Sequence, residues 1–475
     1  MTLENLEPKK VFKFFEEISQ IPRGSGNEKA ISDYLVNFAK ERNFEVIRDE
    51  ALNVIMRKPA SPGYENAKKI ILQGHMDMVC EKTEDSKHDF EKDPIELIVD
   101  GDFIHAKDTT LGADNGIGVA MALAVFDSDN IEHGPLEMLV TVSEETDMHG
   151  AQALANNVLQ GDYLINIDSE EEGIMTVASA GGELYFAHFT PEMAEVPADD
   201  KFYTVKFTGY KGGHSGGEIA NNRGNMIKVM ADFLSRLKDA MLVDFASGSK
   251  DNAIPSNGVF TVALKDSSDF DKIIKELMEK YKDVDGKLSI SYEESEKTHK
   301  AQSVNSSKRF AQWLLDQHTG VKSFTDDTKE FVELSSNLAI VKKIADGTYE
   351  VWNSMRFGKK DEFDEFKNEF VEMSKKYPEV KYEFTNYYPE WEYKEDSKLR
   401  DKAIDLYKKV TGKDMKIDIT HGGLECGVFY IKYKNLDMIS IGPDIFDAHT
   451  PRERVSISST ERMYDFLLEL LKNLK

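Results

Sequence analysis

The sequence contains very little cysteine and no long apolar run. Its 475 residues include only two cysteines, Cys80 and Cys426, which are too few for the disulfide framework of a small secreted protein. A membrane-spanning helix needs roughly 18–20 consecutive apolar residues, and the longest candidate, Ile117–Phe126, is shorter and contains Gly118. The first residues lack the basic-then-apolar order of a signal peptide. We therefore expect a reduced, soluble, cytoplasmic protein.

Positive charge is also scarce. The chain carries 60 lysine and arginine residues against 86 aspartate and glutamate residues, a formal net charge of −26. Phosphates of nucleic acid and anionic membrane surfaces repel such a chain unless it carries a basic patch, and we find none in the sequence. Neither is therefore expected as a partner. The acidic excess is compatible with metal ions or basic substrates, although most acidic surfaces serve only solubility.

What the sequence does have is the composition of a globular protein, with 40% hydrophobic and 31% charged residues. In the first 180 residues, predicted strands alternate with predicted helices, which indicates an α/β layer architecture with a largely parallel sheet. Functional side chains are expected at the carboxyl ends of such strands. The predicted strands are Lys69–Leu72, Leu136–Val142 and Tyr163–Ile167, and the predicted helices are Ile117–Phe126 and Gly150–Asn157.

The middle of the chain contains two similar strand–helix–strand stretches, which we interpret as an internal duplication. We expect them to form an inserted αβ domain over residues 182–390, between two parts of one catalytic domain at 1–181 and 391–475. The first stretch comprises Gly258–Leu264, Asp269–Tyr281 and Lys287–Tyr292, and the second comprises Tyr349–Arg356, Asp361–Lys376 and Val380–Phe384.

The first chemical signal is the pair His75 and Asp77, which follows a predicted strand. Residues two apart lie on the same side of an extended chain. A metal-bound imidazole usually donates its second N–H to a carboxylate, so the pair suits a metal ligand and the group that orients it. A simple His–Asp ion pair at the strand end is the alternative.

The second signal is Asp114, in the glycine-rich segment 111–118 that leads into a helix. Glycines permit a tight backbone path that can present this carboxylate to a site. Capping of the helix N-terminus by Asp114 is an equally good interpretation of this segment alone. A phosphate-binding loop is less favoured, because no Lys-Ser/Thr pair follows the glycines.

Two further strand ends carry acids: Glu144 and Glu145 follow one strand, and Asp168 ends the next. Adjacent carboxylates point in different directions, so one can bind a metal while the other takes a proton from water. Solvated surface acids are the alternative for the pair.

Taken together, these segments predict a metal centre. His75, Asp114, Glu145 and Asp168 fall at strand ends that share one edge of a parallel sheet. One imidazole with three carboxylates suits Zn²⁺, Mn²⁺ or Co²⁺. Calcium is less favoured, because no loop of alternating acids with a terminal bidentate Glu is present.

The same segments resemble the dinuclear zinc peptidases that include acetylornithine deacetylase, tripeptidase T and bacterial dipeptidases, and most closely their aminoacyl-histidine dipeptidase (Xaa-His, carnosine-cleaving) branch. The similarity spans almost the whole chain, with the motifs in the expected order. The matching segments are IleProArgGlySerGlyAsnGlu (21–28), HisMetAspMetVal (75–79), AspAsnGly (114–116), SerGluGluThr (143–146), AsnIleAspSerGlu (166–170), GlyGlyHisSerGly (212–216), HisGlyGlyLeuGluCysGly (421–427) and AspAlaHisThrProArgGlu (447–453).

The resemblance implies two divalent ions, Zn²⁺ in the first place with Co²⁺ or Mn²⁺ as substitutes. Asp114 would bridge them, and a cis peptide bond would follow it. His75 and Asp168 would complete one metal, and Glu145 with His449 the other. Since the metals of this family are not held by thiolates, we expect both cysteines to be buried packing residues.

The resemblance also implies catalytic roles. Glu144 would be the general base for attack of a metal-bound hydroxide on the peptide carbonyl, and Asp77 would orient His75. His214 of an inserted lid domain would stabilise the oxyanion, in its own subunit or across a dimer interface.

The remaining implied residues bind substrate. Arg356 would hold the substrate carboxylate, Asn252 would contact substrate, and Gly422 and Gly423 would line the pocket. Surface or turn placement is the alternative for Arg356 and Asn252, because their motifs are short.

The implied function is hydrolysis of short peptides, in particular Xaa-His dipeptides, by a homodimer joined through the lid. A related two-metal tripeptidase or N-acyl amino acid amidase is the alternative within the family. A non-catalytic metal- or peptide-binding protein is disfavoured, because none of the expected residues is missing.

Overall fold

The computed structural model describes residues 2–297, 300–325, 329, 331–344 and 347–475. The chain divides into two units. The first unit comprises Met1–Ser179, Trp391–Ile419 and Leu424–Lys475, and the second comprises Ala180–Glu390 and Thr420–Gly423. Among the helices that the structure describes, none is long and apolar enough to cross a membrane.

The helices of the described residues are α1 (Lys9–Ser19), α2 (Lys29–Glu41), α3 (Ala113–Phe126), α4 (Glu144–Asp147), α5 (His149–Ala153), α6 (Met226–Arg236), α7 (Phe270–Lys280), α8 (Val304–Asp316), α9 (Lys360–Ser374), α10 (Lys398–Thr411), α11 (Glu425–Lys432) and α12 (Ile457–Asn473).

The strands of the described residues are β1 (Glu45–Arg48), β2 (Val54–Lys58), β3 (Ile70–His75), β4 (Leu97–Asp100), β5 (Phe103–Ala106), β6 (Leu136–Thr141), β7 (Tyr163–Asn166), β8 (Ile174–Ser179), β9 (Gly181–Phe189), β10 (Met193–Glu195), β11 (Lys201–Thr208), β12 (Met241–Ser247), β13 (Gly258–Leu264), β14 (Ser289–Glu294), β15 (Lys300–Gln302), β16 (Gly320–Phe324), β17 (Val332–Lys343), β18 (Tyr349–Phe357), β19 (Val380–Tyr388), β20 (Lys416–Thr420), β21 (Asp437–Ser440), β22 (Ile445–Phe446) and β23 (Arg454–Ser456).

The first unit is built on a mixed sheet in the order β1-β2-β6-β3-β7-β21-β8-β20. Its central strands β6, β3, β7 and β21 run parallel, which confirms the predicted α/β fold in the middle of the sheet. The outer pairs β1/β2, β2/β6 and β21/β8 are antiparallel. Every residue of β3 and β6 is buried, as is typical of central strands that are covered on both faces.

The register brings the carboxyl ends of the central strands together. His75, the last residue of β3, lies opposite Thr141, the last residue of β6. Gln73 lies opposite Asn166, the last residue of β7. The loops that follow these strands therefore leave the sheet along one edge.

Helix α3 supports this edge from within the core. All its residues from Ile117 to Phe126 are buried, and it packs against α1 and β3. A helix that is apolar all round is a core helix. The predicted helix at Gly150–Asn157 is shorter in the structure, because α5 ends at Ala153 and Leu154 has an extended ψ of 131°.

The second unit contains an antiparallel sheet in the order β14-β11-β13-β12-β17-β18-β9-β19, with β16 paired to β17. Its two halves, β14-β11-β13-β12 and β19-β9-β18-β17, mirror each other in order. Helices α6 and α7 belong to one half, and α8 and α9 to the other. The predicted duplication is thus visible in the fold, but each half has four strands and two helices rather than one strand–helix–strand stretch.

Candidate metal centre

Five segments of the first unit bring acids and imidazoles together, and one of them is the loop between β22 and β23, which carries His449. His75 ends β3, Glu144 and Glu145 follow β6, and Asp168 follows β7. Asp114 lies in the first turn of α3, where its own φ and ψ are not helical. The structure therefore joins the strand-end residues that the sequence places at one edge of a parallel sheet.

Asp114 lies between two imidazoles. Its Oδ1 is 3.1 Å from His75 Nε2, and its Oδ2 is 3.0 Å from His449 Nε2. On the first side, His75 Nε2 is also 3.4 Å from Asp168 Oδ1. On the second side, His449 Nε2 is 2.9 Å from Glu145 Oε2. Each oxygen of Asp114 thus belongs to a separate cluster of one imidazole and two carboxylates.

Helix capping by Asp114, the alternative that the sequence allows, is wrong. The N-cap residue of α3 is Gly112, which has a left-handed conformation with φ of 70°. Glycine has no side chain that could cap the helix. The carboxylate that accepts from the first amides of α3 is Glu453. The peptide bond between Asp114 and Asn115 is cis, as the resemblance implies.

Asp77 holds both His75 and the paired glutamates. Its Oδ1 is 3.3 Å from His75 Nδ1 and accepts from the backbone N–H of Glu144 at 3.1 Å. Its Oδ2 accepts from the N–H of Glu145 at 3.2 Å and from Ser25 Oγ at 2.7 Å. A carboxylate at Nδ1 favours the tautomer that carries its proton there, which leaves the Nε2 lone pair of His75 for a ligand.

The buried carboxylates of this cluster repel one another, so nearby positive charge stabilises their ionised forms. Burial, together with the Glu145 and Asp168 carboxylates, raises the pKa of Glu144 well above its usual value. Burial and the Asp114 carboxylate raise the pKa of Glu145 to about 7, and burial raises the pKa of Asp168 to about 6. Buried carboxylates in such proximity resist ionisation unless cations neutralise them.

The two imidazoles are the nearest groups that can supply this charge. Burial lowers the pKa of His449, but hydrogen bonds with Asp114 and Glu145 outweigh it and raise the pKa to about 11. The same hydrogen bonds from His449 and His75 overcome burial and hold the pKa of Asp114 well below its usual range.

The residues fit a divalent metal pair. Among the described residues, three groups place ligand atoms within 4.8 Å of one another, and His75, Asp114 and Glu145 each occur in two of these groups. Asp168 Oδ1 is buried, and apart from its 3.4 Å contact with His75 Nε2 it has no hydrogen-bond partner in the described part of the chain. Imidazole and carboxylate donors without thiolate suit Zn²⁺, Co²⁺ or Mn²⁺.

His214 and Asn252 lie on neighbouring loops of the second unit. A β-bridge joins His214 to Ala253, and Asn252 O accepts from the N–H of Ser215 at 2.8 Å. His214 Nδ1 accepts from the N–H of Gly216 at 3.2 Å. An imidazole that accepts at Nδ1 carries its proton on Nε2 when neutral, so Nε2 is the donor.

Arg356, also in the second unit, is buried on β18, so surface placement is wrong for it. Its Nη1 donates to Tyr388 Oη at 3.0 Å and to His421 O at 3.2 Å. Its Nε has no partner among the described residues. Gly422 and Gly423 directly follow His421. Asn252 is half-buried in a turn, so the turn alternative stays open for it.

Sequence reasoning missed several residues that support the centre. Arg23 and Glu453 contact the backbone of the ligand loops, and Asn115 Oδ1 accepts from the N–H of His75 at 3.3 Å. All three lie in or beside the motifs that carry the resemblance, but contacts to main-chain atoms leave no spacing pattern.

The expected burial of both cysteines is wrong for Cys80, which lies exposed in the loop after β3, whereas Cys426 is buried.

Several known proteins are similar to this chain over nearly its whole length. A cytosol non-specific dipeptidase from Escherichia coli is 37% identical over 483 residues, covering 99% of each chain. The crystal structure of an aminoacylhistidine dipeptidase from Vibrio alginolyticus superposes with a TM-score of 0.83 at 35% identity, over 100% of this chain and 98% of that one. Human carnosine dipeptidase 1 shares the fold, with a TM-score of 0.53 at 12% identity over 98% and 95% of the two chains.

The model of one peptidase family matches residues 71–473. This stretch includes every residue of the two Asp114 clusters and most of both units. The chain therefore belongs to peptidase family M20/M25/M40.

Proposed function

We propose that this M20 peptidase is a two-metal dipeptidase that hydrolyses Xaa-His dipeptides. The observation that carries the proposal is the division of the Asp114 oxygens between two imidazole–carboxylate clusters. Further support comes from the relatives in Escherichia coli and Vibrio alginolyticus, which are named as dipeptidases.

In this proposal the two oxygens of Asp114 assign the metal ligands to two ions, one on each side of this carboxylate. His75 and Asp168 would hold one ion with it, and Glu145 and His449 would hold the other. We propose Zn²⁺ as the ion, with Co²⁺ or Mn²⁺ as substitutes, because the donors are imidazole and carboxylate. When bound, two such ions lower the pKa of water and polarise a peptide carbonyl.

The protons are moved by the chain's own residues. The Glu144 carboxylate takes the proton from the attacking water and passes it to the amine nitrogen that leaves, as a general acid–base does. Its neighbour Glu145 would be a metal ligand, and Asp77 would hold the Nδ1 proton of His75. The backbone N–H groups of both glutamates donate to Asp77, so this one carboxylate sets the position of base and ligand together.

Residues of the second unit are proposed to recognise the substrate. The Arg356 guanidinium, whose Nε has no partner among the described residues, would bind the C-terminal carboxylate of a dipeptide. The Nε2–H of His214 would donate to the oxyanion. Asn252, Gly422 and Gly423 are proposed to contact substrate.

The predicted domain roles follow from this assignment. We propose residues 1–181 and 391–475 as the catalytic domain and residues 182–390 as a lid, with a homodimer joined through it. A cytoplasmic location is also proposed, and the name of the Escherichia coli relative as a cytosol enzyme supports it.

A substrate panel tests the proposal. We expect the zinc-loaded protein to cleave Ala-His and β-Ala-His, and to cleave Ala-His amide much more slowly, because the amide offers Arg356 no carboxylate. Release of histidine is measured for each. Faster cleavage of tripeptides, or of N-acetylhistidine, would instead assign a tripeptidase or an N-acyl amidase, and cleavage of none of them would contradict a peptidase of short substrates.

A further inference from the structure

The loop that carries Asp114 is held between two buried, opposite charges that the proposed mechanism does not use. Arg23 and Glu453 are each only 2% exposed. Charged side chains are rarely buried to this degree, because removal from water costs several kcal/mol per ion unless close partners offset it. Both belong to the first unit, and their partners lie on the loops of the metal centre.

The Glu453 carboxylate accepts hydrogen bonds from four backbone amides of this loop. Its Oε2 accepts from the N–H groups of Leu111 and Gly112 at 2.8 and 3.0 Å. Its Oε1 accepts from those of Ala113 and Asp114 at 2.7 and 3.3 Å. These are the amides at the start of α3, which have no partner inside a helix and lie at its positive end.

Arg23 holds the same loop by a carbonyl and joins it to the His75 loop. Its Nη2 donates to Gly112 O at 2.5 Å. Its Nη1 donates to the carbonyl oxygens of Met76 and Asp77, each at 3.0 Å. One planar guanidinium therefore fixes the distance between the backbone that carries Asp114 and the backbone that carries Asp77.

The Arg23 guanidinium occupies space that a side chain at residue 112 or 116 would need. A Cβ on Gly112 would lie 2.5 Å from Arg23 Nη2, and a Cβ on Gly116 would lie 2.6 Å from the same atom. Gly112 also has the positive φ of 70° that favours glycine. Gly112 and Gly116 therefore leave the space that Arg23 fills.

We propose that Arg23 and Glu453 are positioning residues for the metal centre, which set where the Asp114 carboxylate stands relative to His75. The proposal rests on the proposed function only in taking Asp114 as a shared ligand. A metal site is sensitive to such support, since loss of a group that orients a ligand typically costs about 10–100-fold in metal affinity or activity.

The test for Glu453 is the variant Glu453→Gln, titrated with Co²⁺ and followed by calorimetry and by the visible absorption of the bound ion. Glutamine keeps the size but turns an NH₂ group toward backbone donors. We expect Co²⁺ affinity to fall about 10–100-fold and the absorption band to change. Glu453→Asp, which keeps the charge on a shorter arm, should recover part of the affinity and serves as the second variant if Glu453→Gln does not fold.

A matched control is Asp437→Asn in the same unit. Asp437 is another buried carboxylate at a helix start, where it accepts from the N–H of Leu399 at 3.2 Å and from Ser397 Oγ at 2.7 Å. Its loss should lower the melting temperature and leave Co²⁺ affinity and spectrum unchanged. If Glu453→Gln behaves in the same way as this control, Glu453 only stabilises the fold and the proposal is wrong.

Arg23 has a control of the same kind. Arg23→Lys keeps the charge but cannot bind three carbonyls in one plane, so we expect the Co²⁺ spectrum to change. Arg400→Lys should leave the spectrum unchanged, although buried Arg400 also donates to two carbonyls, Lys394 O at 2.6 Å and Glu395 O at 2.7 Å. An unchanged spectrum in Arg23→Lys would overturn the role of Arg23.

The two proposals can fail separately. If the wild-type protein binds Co²⁺ but cleaves no peptide, the proposed function fails, while altered Co²⁺ spectra in the Glu453 and Arg23 variants still support positioning. If the wild-type protein is an active dipeptidase and both variants match it in affinity, spectrum and kcat, the positioning roles fail and the function stands.

Discussion

Replacement of Glu144 by glutamine should lower kcat for Ala-His by about 10²–10⁴-fold, the usual contribution of a general acid–base. Glutamine has the size of glutamate but cannot take a proton from water. The metal content should stay at the wild-type value, because the proposed ligands Glu145 and His75 are unchanged. Steady-state kinetics and metal analysis of the same preparation measure the two quantities.

A control for this variant lies nearby in the chain. Glu171 is an exposed acid of the same unit with no role in the centre, so Glu171→Gln should keep wild-type kcat. Wild-type activity in Glu144→Gln would contradict its assignment as the base. Loss of metal together with activity would instead make Glu144 a ligand.

Replacement of Asp114 by asparagine should remove at least one of the two ions. The Asp114 oxygens face separate imidazoles, with His75 at 3.1 Å and His449 at 3.0 Å, and an amide offers a single oxygen and no charge. Loss of a group that only orients a ligand costs about 10–100-fold in activity. We expect the loss of Asp114, a ligand itself, to cost more than this. Metal analysis after dialysis gives the number of ions retained.

The reference for this experiment is Asp437→Asn, whose buried carboxylate lies away from the clusters and caps α10. It should bind as many ions as the wild-type protein. Retention of two ions at wild-type affinity by Asp114→Asn would show that this carboxylate does not join the two clusters.

The ligand loops could be predicted from the sequence because their polar side chains end apolar strands. His75 follows five strand residues that are all buried, and the paired glutamates follow a strand that is buried throughout. A parallel sheet gives such strands a common edge. The local sequence pattern and the fold topology therefore place these residues at the same edge of the sheet.

The support of the centre could not be predicted in this way. Arg23 and Glu453 act on backbone atoms of residues 53 to 342 positions away, and a backbone partner has no sequence signature. The same limit explains why the segment alone left capping open as an alternative for Asp114. From the segment alone this residue is as good a helix cap as a ligand, and only the distant Glu453 occupies the capping role.

The duplication of the second unit was only partly predictable for a related reason. The strand–helix–strand stretches around β13 and β18 have clear alternation, whereas β9 belongs to the second half of the sheet although it precedes the whole first half in the chain. Pairing of β9 with β18 and β19 depends on contacts between strands that are far apart in the chain, which periodicity does not encode.

The most direct test of a two-metal dipeptidase is titration of the metal-free protein with Zn²⁺ while Ala-His hydrolysis is followed. Chelator treatment should abolish hydrolysis, because a water without a bound metal is not acidified near neutral pH. We expect activity to return as Zn²⁺ is added and to reach its maximum at two ions per chain. Full hydrolysis by the metal-free protein, or maximal activity at one ion per chain, would contradict the account.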